Sequence, residues 1–204
     1  MLLQLTEILR CPADHEESYV VCVTHAVEGT RVLRGVVGCP VCKAEYPIVD
    51  GVVDFTHQRT GAAAHQRTGA PAHREPLTAE AAATFLGLRG PGGYVLLAGT
   101  AARLAGDLAA FVPGVHVVCV NAPNEARSPS ASYLLAEGGV PLKSSWMRGV
   151  VLGADCAGEP WLGEGVRTLL DGLRLVVEDE AAEVPGVVEM ARGAGVSVWE
   201  RRAR

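Results

Sequence analysis

Cys39-Pro40-Val41-Cys42 constrains this chain more than any other stretch. A Cys-Pro-x-Cys turn is tight enough to aim two thiolates at one metal ion. Tyr46-Pro47-Ile48 and Asp50-Gly51-Val52-Val53 follow it and read as a strand, a turn and a second strand. Upstream, Cys11-Pro12 offers another Cys-Pro where the other half of a metal site would begin. A module of some fifty-five residues has little core of its own, so a metal knuckle is expected to hold it together.

Structural zinc takes four ligands in a tetrahedron and favours thiolate. Cys39 and Cys42 supply two, and Cys11 is the candidate third. The fourth is open. In Cys11-Pro12-Ala13-Asp14-His15, Asp14 stands where a second cysteine would fall by count, and His15, the better zinc donor, is one residue further on. His15 is preferred, then Asp14, then Cys22 or His25, which form a Cys-x2-His pair. Cys119 and Cys156 stand alone among apolar or small residues and read as buried thiols.

The chain has 204 residues, 49% of them hydrophobic, enough for one large domain or two small ones. A net charge of -5 does not indicate a general nucleic-acid surface. No apolar run approaches the ~20 residues of a membrane span, so no membrane insertion is expected. Gln4, Glu7 and Arg10 interrupt what would be the apolar core of a signal peptide. A cytoplasmic protein with reduced cysteines is the expectation.

Along the chain, residues 2–9 have helix-like apolar spacing, and 19–24 and 31–37 are β-branched strands. His57-Gln58-Arg59-Thr60-Gly61-Ala62 recurs as His65-Gln66-Arg67-Thr68-Gly69-Ala70. Its Gly, Ala and polar content predicts a flexible connector over 56–76. Beyond it, helices are predicted at 78–88, 101–111, 164–172 and 187–193. Strands are predicted at 94–98, 115–120, 148–152, 173–178 and 196–199, and 121–143 is the one long irregular stretch. Strands alternating with helices give an α/β fold, here a small zinc-ribbon-like module (1–55) plus a Rossmann-like parallel-sheet domain (77–204).

Residues 2–55, through LTEILRCP and CPVCKAEYPIVDGVVDF, resemble the small zinc-ribbon activator subunit of tRNA, rRNA and translation-factor methyltransferases and its short bacterial homologues. That resemblance implies a non-catalytic module which pairs with a methyltransferase-like partner, in the same chain or another, by strand addition and apolar contact. The C-terminal order of strand, Gly turn, helix and strand resembles the class I methyltransferases that bind S-adenosylmethionine. By that resemblance Gly99 and Asn121 occupy the cofactor-binding positions. The departures are Leu97 for the acidic residue of the first turn, Ala101 and Arg103 for its later glycines, and neutral Asn121 for the ribose carboxylate. No aromatic-proline motif follows residue 152, and Asp155 there reads as a lone polar contact or a turn residue. Together these imply a non-catalytic assembly or regulatory subunit with a larger protein partner. The alternative is an active methyltransferase with its activator fused in cis. A third reading is an α/β domain that shares only the topology and binds another nucleotide or none. No phosphate loop, nucleophile elbow or paired carboxylates point to a kinase or hydrolase.

Overall fold

The computed structural model describes residues 1–56 and 76–203. Most of the repeat stretch, 57–75, lies outside the described residues. The first strands are β1 (Val21–Glu28), β2 (Arg31–Gly38), β3 (Glu45–Val49) and β4 (Val52–Asp54), joined as antiparallel neighbours. Then come α1 (Ala79–Leu86), β5 (Tyr94–Ala98), α2 (Ala105–Phe111), β6 (His116–Val120), β7 (Ala131–Leu135), β8 (Met147–Leu152), α3 (Trp161–Thr168), β9 (Leu169–Val177), β10 (Val187–Gly193) and β11 (Val196–Arg201). All eleven strands form one sheet in the order β1-β2-β3-β4-β7-β6-β5-β8-β9-β11-β10.

The five strands β7-β6-β5-β8-β9 are parallel, the centre of a Rossmann-like sheet. The four N-terminal strands join it through β4, which pairs in parallel with β7 (Val53 opposite Leu134). β5 shows why the centre is stable. Its side chains alternate across the sheet, and both sets are buried. Val95 and Leu97 meet α1 and α2 through Leu86 and Leu108 on one face.

On the other face, Leu96 and Ala98 belong to a core that contains Met1, Leu5, Ile8 and Leu9 as well as Leu162 of α3. The N-terminal segment, a 3-10 turn over Leu3–Glu7 rather than the predicted amphipathic helix, therefore serves as part of the layer that covers the sheet. Leu5, Ile8 and Leu9 are fully buried, each contributing about 1.5–3 kcal/mol by leaving water. Leu9 bridges to Leu142, Arg10 N–H donates to the Pro141 carbonyl, and Lys143 N–H donates to that of Ile8.

α1 begins at Thr78, whose hydroxyl accepts the Ala81 N–H at 3.2 Å, and ends at Gly87 in the left-handed region. Thr78→Ala should lower the urea midpoint by an amount equal to about 1 kcal/mol, without changing the slope.

Three further elements differ from expectation. Residues 187–193 form the strand β10, not a helix. Val187 and Val188 suit a strand, and the Gly193-Ala194-Gly195 turn, all at positive φ, folds the segment back onto β11. α3 starts and ends earlier than predicted, because Leu169 is already extended and opens β9. The stretch 121–143 contains β7, a buried strand at the joint between ribbon and sheet. Its five residues are bracketed by Pro, Ser and Gly, which hid it.

Candidate metal centre and strand-end site

β2 ends at Gly38 and delivers Cys39. The turn closes on itself: Cys39 N–H donates to the Ala44 carbonyl and Lys43 N–H to that of Cys39, with Lys43 at φ 63. This turn brings Cys42 beside Cys39 and faces both toward the segment after the Leu3–Glu7 turn. The side chains of Cys11, His15, Cys39 and Cys42 converge there, with all four donor atoms within 4.8 Å of one another. Among the described residues no other such group of three or more Cys, His, Asp or Glu side chains forms. Asp14 is exposed and lies outside the group, as do half-buried Cys22 and exposed His25.

The separations suit a tetrahedral ion. Cys11 Sγ lies 3.6 Å from Cys42 Sγ, and Cys39 Sγ lies 3.4 Å from His15 Nε2. Zinc bonds of about 2.3 Å to sulfur and 2.0–2.1 Å to nitrogen place neighbouring tetrahedral donors about 3.6–3.8 Å apart. A disulfide would need about 2.05 Å, so these are free thiols. His15 Nδ1 sits 2.7 Å from the Glu16 carbonyl. A carbonyl can only accept, so Nδ1 carries the proton and Nε2 turns its lone pair toward Cys39, the orientation a metal ligand needs. Burial opposes the Cys39 thiolate, but the Cys42 and Val41 N–H groups and the neighbouring thiols outweigh it and bring its pKa down to about 6. Burial pushes Cys11 up to about 11. A three-cysteine, one-histidine donor set of this shape fits zinc, and it leaves no open coordination position.

Arg10, next to Cys11, ties this centre to the sheet. Its guanidinium lies 3.4 Å from Glu164 of α3. Glu164 also takes two hydrogen bonds of 2.8 Å from Arg167 and one of 2.7 Å from Val140 N–H. Arg167 in turn donates to the Leu142 and Val140 carbonyls. These residues were not singled out from the sequence. The only signal was a Glu-Arg pair three apart on a predicted helix.

At the carboxyl ends of the parallel strands, where open α/β sheets place ligands, the turn after β5 is occupied by the protein itself. The Thr100 N–H and hydroxyl donate to Asp155 Oδ1 at 2.9 and 2.7 Å. Asp155 comes from the 3-10 turn Ala154–Cys156 after β8, which packs on the one over Gly99–Leu104. Gly99 has φ +60, and a Cβ there would lie 2.4 Å from both Asp155 carboxylate oxygens, so glycine is required for the carboxylate to come this close. Arg103 turns away, donating to Glu178 at the end of β9 and to the Leu77 and Thr100 carbonyls. Asn121 is also engaged: its Nδ2 donates to the Ala136 carbonyl at 2.8 Å and its Oδ1 accepts the Ala136 N–H at 2.9 Å. Gly99 and Asn121 thus stand at neighbouring strand ends, each bound up with the chain. Two surface clefts, of about 350 and 610 Å³, lie elsewhere. One is on the ribbon beside Cys39 and Pro40, the other between Phe85 of α1 and the β10–β11 turn.

No protein-family model matches the chain, and no curated protein matches it. Solved structures similar to it are methyltransferases. A TehB-like S-adenosylmethionine-dependent methyltransferase of Corynebacterium glutamicum has 16% identity and a TM-score of 0.45 over 62% of this chain and 89% of that one. Geranyl diphosphate C-methyltransferase of Streptomyces coelicolor has 17% identity and a TM-score of 0.41 over 48% and 41%. A chain of the complex between the Haloferax volcanii Trm112 methyltransferase activator and a methyltransferase has 16% and 0.36 over 44% and 45%. This chain spans less than half the length of the latter two. The likeness is one of fold.

Proposed function

We propose that the chain is a non-catalytic assembly or regulatory subunit, a zinc ribbon built onto a degenerate methyltransferase-like body. Residues 1–55 are the ribbon, 56–76 a connector and 77–204 the body. Cys11, His15, Cys39 and Cys42 hold the zinc, which supplies cross-linking only. The Asp155 carboxylate in the Gly99-Thr100 turn carries this reading. A bound cofactor would need that backbone N–H and the space beside Gly99, and both are taken. Asn121 supports it too, since holding Ala136 consumes the amide that would otherwise reach a ribose.

The ribbon's own strand-adding edge, β4, is already spent on β7 of the same chain. The methyltransferase-like partner implied by the resemblance is therefore met in cis, and a larger protein partner is held by another surface. Incubation with a methyl-labelled S-adenosylmethionine and pooled tRNA, rRNA or protein should transfer no label. Turnover dependent on this chain would overturn the proposal in favour of an active enzyme with its activator fused in cis.

A further inference from the structure

The three thiols of the metal centre are not equally sheltered. Cys11 and Cys39 are 4% and 3% exposed, whereas Cys42, the last residue of the knuckle, is open to solvent. Of the six cysteines in the chain, Cys42 alone is exposed. It also has a buried thiol beside it, since Cys11 Sγ lies 3.6 Å away. A reactive thiol needs thiolate character, access and a second thiol that traps the oxidised sulfur. A zinc-bound Cys42 has all three. The Tyr46 hydroxyl, 3.3 Å from Cys11 Sγ, donates to it as a thiolate and holds it from the side of β3. Cys39 is committed differently, with the Val41 and Cys42 N–H groups on its sulfur and His15 Nε2 at 3.4 Å.

We propose that Cys42 is a peroxide-reactive site, and that its oxidation exchanges the zinc for a Cys11–Cys42 disulfide. The inference rests on the zinc reading above, and hydrogen peroxide is the oxidant. The Cys42 thiolate attacks one peroxide oxygen; the O–O bond breaks and hydroxide leaves, giving a sulfenic acid on Cys42. The Cys11 thiolate then attacks the Cys42 sulfur, and a second hydroxide departs as the S–S bond forms. Two protons from solvent turn both hydroxides into water. The two sulfurs together lose two electrons, which the peroxide takes up. The sulfurs have to close from 3.6 Å to about 2.05 Å, and the exposed Cys42 side chain is the one with room to move. Zinc is left with Cys39 and His15, too few ligands to hold it.

The new bond joins the same two segments that the metal joined, residue 11 and the knuckle. Residue 11 ends the stretch whose Leu5, Ile8 and Leu9 share a core with the central strands. The oxidised, zinc-free chain therefore keeps this layer on the sheet, whereas a chelator acting on the reduced chain frees it. A bond between Cys39 and Cys42 would stay within the knuckle and leave residue 11 untethered.

Titration of the metal-loaded chain with hydrogen peroxide tests this, with released zinc read by a coloured chelator and disulfides mapped by mass spectrometry of unreduced peptides. The expected result is one zinc released per chain as one Cys11–Cys42 bond forms, reversed by dithiothreitol and added zinc. The oxidised chain should melt nearer to the zinc form than to the chelated, reduced chain. Cys42→His keeps four donors and should give up its zinc about tenfold more slowly, or slower still, while Cys22→Ser should match the parent. Zinc retained under peroxide, a Cys39–Cys42 bond, or a Cys42 sulfinic acid without a disulfide would overturn the inference, and the parent chain alone decides among them. A chain that takes up no zinc at all would sink the zinc reading with it, so the two failures are told apart.

Discussion

Stripping the metal with a chelator, or replacing Cys39 by Ser, is expected to loosen the central sheet and not just the ribbon. Leu5, Ile8 and Leu9 lie in one core with Leu96, Val118 and Leu152 of the parallel strands. Their path over the sheet is fixed at one end by Cys11. Zinc contributes about 10–16 kcal/mol of apparent folding energy in small ribbons, against a total of about 5–15 kcal/mol for an ordinary domain. Losing even about 5 kcal/mol should lower the Tm by about 10–20 °C, at 2–4 °C per kcal/mol for a chain of this size. Amide exchange at Leu96 and Val118 should quicken together with that at Val37 and Tyr46. Faster exchange confined to β1–β3 would mean that the ribbon is an appendage of a self-sufficient body.

Glu164→Ala should be among the more damaging single changes outside the metal centre, at up to about 3–5 kcal/mol. The Glu164 side chain is 17% exposed and lies between Arg10 and Arg167. Truncation leaves two guanidiniums facing each other and the Val140 N–H without its acceptor. Arg10 already has a buried Nε without a partner, and its pKa is lowered by burial first and by Arg167 second. Glu164→Gln keeps the shape and an acceptor and should cost less, about 1–3 kcal/mol. Urea unfolding of both variants measures the difference. Burial works against the Glu164 carboxylate, but the Arg167 hydrogen bonds and charge outweigh it and hold its pKa below the ordinary 4.5. Its contribution is therefore complete above that ordinary value and is lost as pH falls through the lower folded one. The Glu164→Gln chain should lose less stability than the parent between pH 5 and acid.

The central strands were legible because burial on both faces writes them as unbroken apolar runs; Tyr94–Ala98 matches the predicted 94–98 residue for residue. The knuckle was equally plain, since Cys-Pro-x-Cys spacing is itself geometry. His15 was legible only as a preference over Asp14; the turn of the backbone that aims the Glu16 carbonyl at its ring leaves no mark in residue spacing. β7 was hidden because it is short, carries Ser132 and Tyr133, and is defined by pairing with β6 and β4, far away in sequence. β10 misled because Glu189, Met190, Ala191 and Arg192 are good helix formers, and a hairpin overrode them. Asp155 was weighed as a turn residue, but that it reaches 55 positions back to Thr100 could come only from the packing of β5 beside β8. The pairing of β4 with β7, which joins the strands before the repeat stretch to those after it in one sheet, likewise could not be read from spacing.

Isothermal titration of the metal-loaded chain with S-adenosylmethionine and S-adenosylhomocysteine, run beside Asp155→Ala, bears most directly on the filled strand-end turn. No heat from the parent chain at high protein concentration is the predicted result. Micromolar binding to the parent that Asp155→Ala leaves unchanged would contradict it, since the carboxylate would then not stand in the cofactor's place.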